Sequence, residues 1–140
     1  MFYLLLVPAI IILDQSIKYI INSKIHIRTS IPVFKKVFYI THYENTGMAL
    51  SFFENKGYIF MPIMIILLFI VVYFFFTSQS FLIKLSLSFI LAGGTGNLLD
   101  RLLKGSVTDF VEIHLGSFLL PIFNIADMFI FVGTIILVLN

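Results

Sequence analysis

Four apolar runs joined by shorter polar links constrain this chain more than any other feature. They are Phe2 to Ile21, Tyr58 to Phe76, Phe81 to about Leu99, and about Phe123 to Asn140. Each is at or near the roughly 20 residues that a helix needs to cross a bilayer. Only 11% of the 140 residues are charged, and the mean hydropathy is +1.09. Soluble domains carry about 25% charged residues, so the composition is that of a membrane protein. The length accommodates one bundle, and the expected fold class is membrane all-α, a four-helix transmembrane bundle forming a single domain over residues 1–140. The link between the second and third runs, Thr77 to Ser80, is short enough to force antiparallel neighbours. The first run has no basic n-region and no small-residue cleavage site, and it contains Asp14. It therefore reads as a retained helix and not as a signal peptide.

Residues 22–57 form a polar excursion between the first two helices. Within it, Val33 to Tyr43 (VFKKVFYITHY) is rich in β-branched and aromatic residues and follows Pro32. This composition predicts a strand, forming a hairpin with the following MALSFF, and so a small β-rich cap lying on the bilayer. Gly93, Gly94 and Gly96 sit where neighbouring helices can approach closely. They are not a phosphate cradle, because an apolar helix precedes them and not a strand.

Several functions are excluded by what the chain lacks. With no cysteine there is no disulfide, thiol nucleophile or thiolate metal site. A net charge of +2 from scattered sources gives no footprint for nucleic acid. His26, His42 and His114 lie in loops with no serine at a telling spacing, and HExxH is absent. An Asp109–His114 metal pair stays open as a minor alternative. The main expectation is carboxylate chemistry with no metal and no cofactor.

The acids support that expectation by their depth. In four antiparallel spans the end of the first helix (Asp14), the end of the third (Asn97, Asp100) and the start of the fourth (Asp127) share one membrane face, under the cap. Carboxylates in lipid are expensive and mark function. Two aspartates held close cannot both ionise, so one keeps its proton and the pair divides into base and acid. Asp109 and Asp127 are the candidates for such a pair. A small proton-coupled transporter and a non-enzymatic assembly factor remain as other classes, although acids gathered at one face do not make a file across the bilayer. Asp14 could equally serve a helix terminus, Asp100 a supporting ion pair, and Asn97 and Asn124 the backbone groups where helices end.

The pieces Asp14-Gln15-Ser16-Ile17-Lys18, Asn45-Thr46-Gly47, Gly96-Asn97-Leu98-Leu99-Asp100-Arg101, Val107-Thr108-Asp109-Phe110 and Phe123-Asn124-Ile125-Ala126-Asp127 occur in this order. In that order and spacing the chain resembles the lipoprotein signal peptidases (signal peptidase II) of bacteria. The resemblance implies an aspartic endopeptidase that removes the signal peptide of prolipoproteins, cutting just before a diacylglyceryl-modified cysteine. It implies Asp109 and Asp127 as the catalytic pair and Asn45 and Arg101 as substrate-binding residues. Asp14, Asn97, Asp100 and Asn124 would support the site. The expected partners are the lipidated prolipoprotein and membrane lipids, around a monomeric enzyme. The resemblance also sets the cap and active site at the outer face of the cytoplasmic membrane with both termini inside. That runs against the positive-inside count, since Lys24, Arg28, Lys35, Lys36 and Lys56 all lie in the cap link. Met48, Leu50 and Met128 depart from the family pattern without removing an acid, and the link from Asp109 to Pro121 is compact.

Overall fold

The computed structural model describes residues 2–35, 37–47, 57–116 and 118–140. Its elements in order are α1 (Phe2–Lys24), β1 (Ser30–Phe34), β2 (Phe38–Asn45), α2 (Gly57–Thr77), α3 (Phe81–Lys104), β3 (Val107–Leu115), β4 (Phe118–Leu119) and α4 (Ile125–Val138). α1, α2 and α4 all pack on α3, which is the hub of the bundle. Two of the helices, α1 from Leu5 and α3, are long and apolar enough to cross a membrane, and Met61–Thr77 and Ile125–Val138 are shorter apolar helices.

The distribution of polarity is inverted relative to a water-soluble bundle. Phe69, Phe76, Leu103 and Leu139 are exposed, whereas Asp14, Lys18, Ser86, Ser88, Asn97, Asp100 and Asn124 are buried. In hydrocarbon the apolar side chains face the solvent and the polar ones must find partners inside.

The third helix runs to Lys104, five residues past the expected Leu99. Nothing between Leu98 and Lys104 breaks a helix, and the stop comes at Gly105, whose φ of 79° is the left-handed cap that glycine adopts without strain. The upstream glycines are contact points. A Cβ on Gly93 would lie 2.3 Å from the Ala126 carbonyl oxygen, and one on Gly96 2.8 Å from Asp14 Oδ2. The fourth helix is shorter than expected, starting at Ile125 because Asn124 caps it.

The cap differs more from expectation. The Val33 to Tyr43 run is not one strand: β1 and β2 form an antiparallel hairpin around a turn where Lys35 has a φ of 44° and Val37 N–H donates to the Phe34 carbonyl. The two lysines interrupt the apolar alternation there. MALSFF lies outside the described residues. The second partner of β2 is β3, so the compact link after Asp109 contains strands, and the sheet order is β1-β2-β3-β4. The long-range pairing sets Asn45 opposite Val107 and Tyr43 opposite Asp109. A core of Ile21, Phe110 and Val111, with Ile17, Phe38 and Phe123 against it, fastens the sheet to the end of α1. A further bridge between Val111 and Phe123 brings the start of α4 against β3.

Candidate active site

Four elements converge on one cavity of about 350 Å³. Asn45 comes from β2, Asn97 and Arg101 from α3, Asp109 from β3 and Asp127 from the first turn of α4. Val107, Phe123, Ile130 and Phe131 supply its apolar wall. The two candidate acids, 18 residues apart in sequence, thus line the same space.

Asp127 is placed by local chemistry. Asn124 and Asp127 form a capping box: Asp127 N–H donates to Asn124 Oδ1 at 2.9 Å, and Asn124 N–H donates to Asp127 Oδ2 at 3.2 Å. This arrangement satisfies two orphan donors at the start of the helix. It leaves Asp127 Oδ1 for Asn97 Nδ2, at 2.7 Å. Asp109 is placed by the sheet. Asn45 and Asp109 are diagonal neighbours on one face, and Asn45 Nδ2 donates to Asp109 Oδ2 at 3.0 Å. The other oxygen, Oδ1, accepts from Asn124 Nδ2 at 2.6 Å.

Each amide that faces an aspartate is oriented by a second partner. Asn45 Oδ1 accepts from the Gly47 N–H, Asn124 Oδ1 from the Asp127 N–H, and Asn97 Oδ1 from both Lys18 Nζ and Asn124 Nδ2. Their NH₂ groups must therefore point at the carboxylates. Arg101 Nη2 donates to the Gly47 carbonyl at 2.9 Å, tying the cap to α3 beside the cavity.

Among the described residues neither Asp109 nor Asp127 makes an ion pair. Burial pushes the Asp109 carboxyl up to about 7, and the nearby Asp127 charge adds to the rise. The Asn45 and Asn124 hydrogen bonds and the Lys18 charge oppose it. A carboxyl with that affinity exchanges a proton near neutral pH, as a general acid or base requires.

The other predicted residues support this pair from behind. Asp14 Oδ1 accepts the Ala126 N–H at 3.0 Å, holding α4 to α1 by a helix-terminus contact. Asp100, fully buried, faces Lys18 at 2.9 Å and Lys104 at 3.4 Å and accepts the Thr108 N–H. Adjacent Arg101 points elsewhere, as neighbouring helical residues do. Asn124 does serve a helix end, but Asn97 lies inside α3 and serves Asp127. His114 is separated from Asp109 by an odd number of strand positions and so belongs to the opposite face. It pairs with Glu112 at 2.6 Å and stacks on Tyr39.

Lys18 is the residue that sequence reasoning passes over. Its ammonium, 1% exposed, contacts Asp14 at 2.7 Å and Asp100 at 2.9 Å. The signal was available: an aspartate and a lysine four residues apart inside an apolar helix make a helical ion pair, and a buried charge needs a partner.

The family model described as signal peptidase (SPase) II matches residues 6–140. A lipoprotein signal peptidase of Brevibacillus brevis is 36% identical over 142 residues, covering 100% of this chain and 94% of that protein. A bacterial membrane enzyme solved by the in meso method at 2.3 Å superposes with a TM-score of 0.90 at 34% identity, over 98% of this chain and 85% of that one. A second such structure at 1.9 Å gives 0.88 at 34% identity, over 98% and 90%.

Proposed function

Because the chain belongs to the signal peptidase II family of aspartic endopeptidases, the bacterial lipoprotein signal peptidases, we propose that it cuts diacylglyceryl-modified prolipoproteins just before the lipidated cysteine, with water activated between Asp109 and Asp127. The observation that carries this reading is that two carboxylates without ion-pair partners among the described residues line one cavity, each held by oriented amides, and that Asp109 is poised at about 7.

The pair shares one proton near neutral pH and titrates as a unit. The ionised member takes a proton from water as the oxygen attacks the scissile carbonyl carbon. The protonated member gives its proton to the carbonyl oxygen. Collapse of the tetrahedral intermediate returns a hydroxyl proton to the aspartate that had protonated the carbonyl oxygen and breaks the C–N bond, while the acid formed in the first step protonates the departing nitrogen. Asn45 and Arg101, on the cavity wall beside the pair, hold the substrate backbone. The cavity is at the small end of ligand sites, which suits a short extended stretch of peptide. The acyl chains stay in the bilayer, so the substrate enters sideways and the enzyme works as a monomer.

The test is cleavage of a synthetic diacylglyceryl peptide, with the unlipidated peptide as control. Asp109→Asn and Asp127→Asn each lower kcat by about 100-fold to 10,000-fold in protein that remains folded. Near-original turnover by either variant would remove the pair from the mechanism.

All four helices span the cytoplasmic membrane, with the cap and the pair at its outer face and both termini in the cytoplasm. The cationic cap link then lies against outer-leaflet headgroups, where anionic lipid attracts it. The absence of cysteine makes this directly measurable. A single cysteine at Val33 should react with an impermeant thiol reagent in intact cells, and protection until lysis would reverse the orientation.

A further inference from the structure

A lysine ammonium has three donors, and those of Lys18 are all committed: to Asp14 Oδ2 at 2.7 Å, Asp100 Oδ2 at 2.9 Å and Asn97 Oδ1 at 3.0 Å. Two carboxylates already compensate the charge. The third bond, to a neutral amide, needs another explanation, and that amide is the one whose Nδ2 lies 2.7 Å from Asp127 Oδ1. We propose that Lys18 is a positioning residue for the reaction, whose ammonium locks Asn97 with its NH₂ group on Asp127.

The inference rests on the two-aspartate reading above. Asn97 Oδ1 receives Lys18 Nζ and Asn124 Nδ2, so the reversed amide would set donors against donors. Without the ammonium only the longer 3.2 Å bond from Asn124 Nδ2 opposes reversal, so Asn97 turns its oxygen toward Asp127 more often, placing an acceptor against a carboxylate. The locked amide keeps a carboxylate welcome at Asp127, and the positive charge of Lys18 favours the ionised form of Asp109 as well. The charged groups that act on the pair from its surroundings are Lys18 and Asp14 of α1 and Arg101 of α3.

A purely structural lysine would be replaceable once its charge was balanced. Lys18→Met combined with Asp14→Asn removes one positive and one negative charge, and Lys18→Gln keeps a polar side chain. Each variant is followed by thermal unfolding in detergent and by kcat, KM and the pH profile of kcat on the diacylglyceryl peptide. The expected result is folded protein with KM within about 2-fold of the parent and kcat lowered about 10- to 100-fold. The pH profile moves upward, because a pair deprived of a nearby cation holds its protons to higher pH. Asp14→Asn alone, which keeps the ammonium on Asn97, does not move the profile upward. A folded Lys18 variant with the parent kcat and profile overturns the inference. Failure of both Lys18 variants to fold assigns the residue to stability alone and also overturns it. Asp127→Asn is run alongside. Retained cleavage there removes the two-aspartate reading itself, whereas lost cleavage with indifferent Lys18 variants removes only this inference.

Discussion

Asp14 and Asp100 sit on a buried ammonium, while Asp109 and Asp127 sit on amides. All four belong to the same polar interior, and Asp14, Asp100 and Asp109 are each at most 2% exposed. The difference lies in what faces them. A cation within 3 Å compensates a carboxylate and fixes it as a charged strut, whereas an amide offers hydrogen bonds without charge. In the proposed mechanism the amide-bound pair is left with a shared proton. Burial of an acid in a membrane protein is thus no mark of catalysis by itself; the partner decides which acids brace and which react.

The sharpest test of that contrast exchanges acid for amide in both clusters. Asp100→Asn takes a partner from Lys18 and Lys104 together, and unfolding in detergent should show a loss of about 4 kcal/mol, the scale for breaking a buried ion pair. Asp127→Asn removes no ion pair and should leave stability within about 1 kcal/mol while lowering kcat by about 100-fold or more. Equal destabilisation by the two substitutions would erase the distinction.

A second test uses pH. The folded-state value of Asp109, about 7, stands above its ordinary 3.8. Between these values the folded protein holds a proton that the unfolded chain has released, so stability is fully present below about 4 and falls as pH rises through 7. The loss across that window is on the order of 4 kcal/mol, and Asp109→Asn should abolish this slope in the unfolding free energy. Glu112 supplies a contrast within the same strand. Burial works against its charged form, but hydrogen bonds from Ser30 and His114 outweigh it and hold the carboxyl below its usual range. Its contribution therefore has the opposite sign and fades as pH falls.

The smallest effect concerns a single amide. Asn45→Ala deletes one charge-directed hydrogen bond to Asp109, worth about 2 kcal/mol, and should reduce kcat/KM roughly 30-fold with little change in melting temperature. A larger fall in stability than in kcat/KM would make Asn45 a strut like Asp14.

The bundle was legible because apolar run length is a local property: the observed helix ends fall within five residues of those expected. That Asp109 and Asp127 line one cavity was legible through the motifs around them, and the convergence of Asp14, Asn97, Asp100 and Asp127 through the parity of antiparallel spans. The sheet was not. VTDFVEIHL pairs with FYITHYEN across more than 60 residues, and no local pattern announces a partner so remote. The reach of α3 to Lys104 was hidden because the helix stops at the left-handed Gly105 and not where the apolar run ends, whereas the close approach expected at Gly93 and Gly96 is made by the Ala126 carbonyl and the Asp14 carboxylate. Lys18 was hidden by its own company, since a lysine beside an aspartate in an apolar helix reads as a self-contained pair until Asn97 appears as its third contact.

The capping box at Asn124 and Asp127 makes one carboxylate serve two masters. The carboxylate whose Oδ2 closes the opening turn of α4 is also one that the proposed reaction loads with hydrogen ions. Every catalytic round would then tug on the backbone at the mouth of that helix. The rigidity of residues 124–127 becomes an instrument reading of the chemistry, and a bound transition-state mimic should quiet amide exchange there before anywhere else in the bundle.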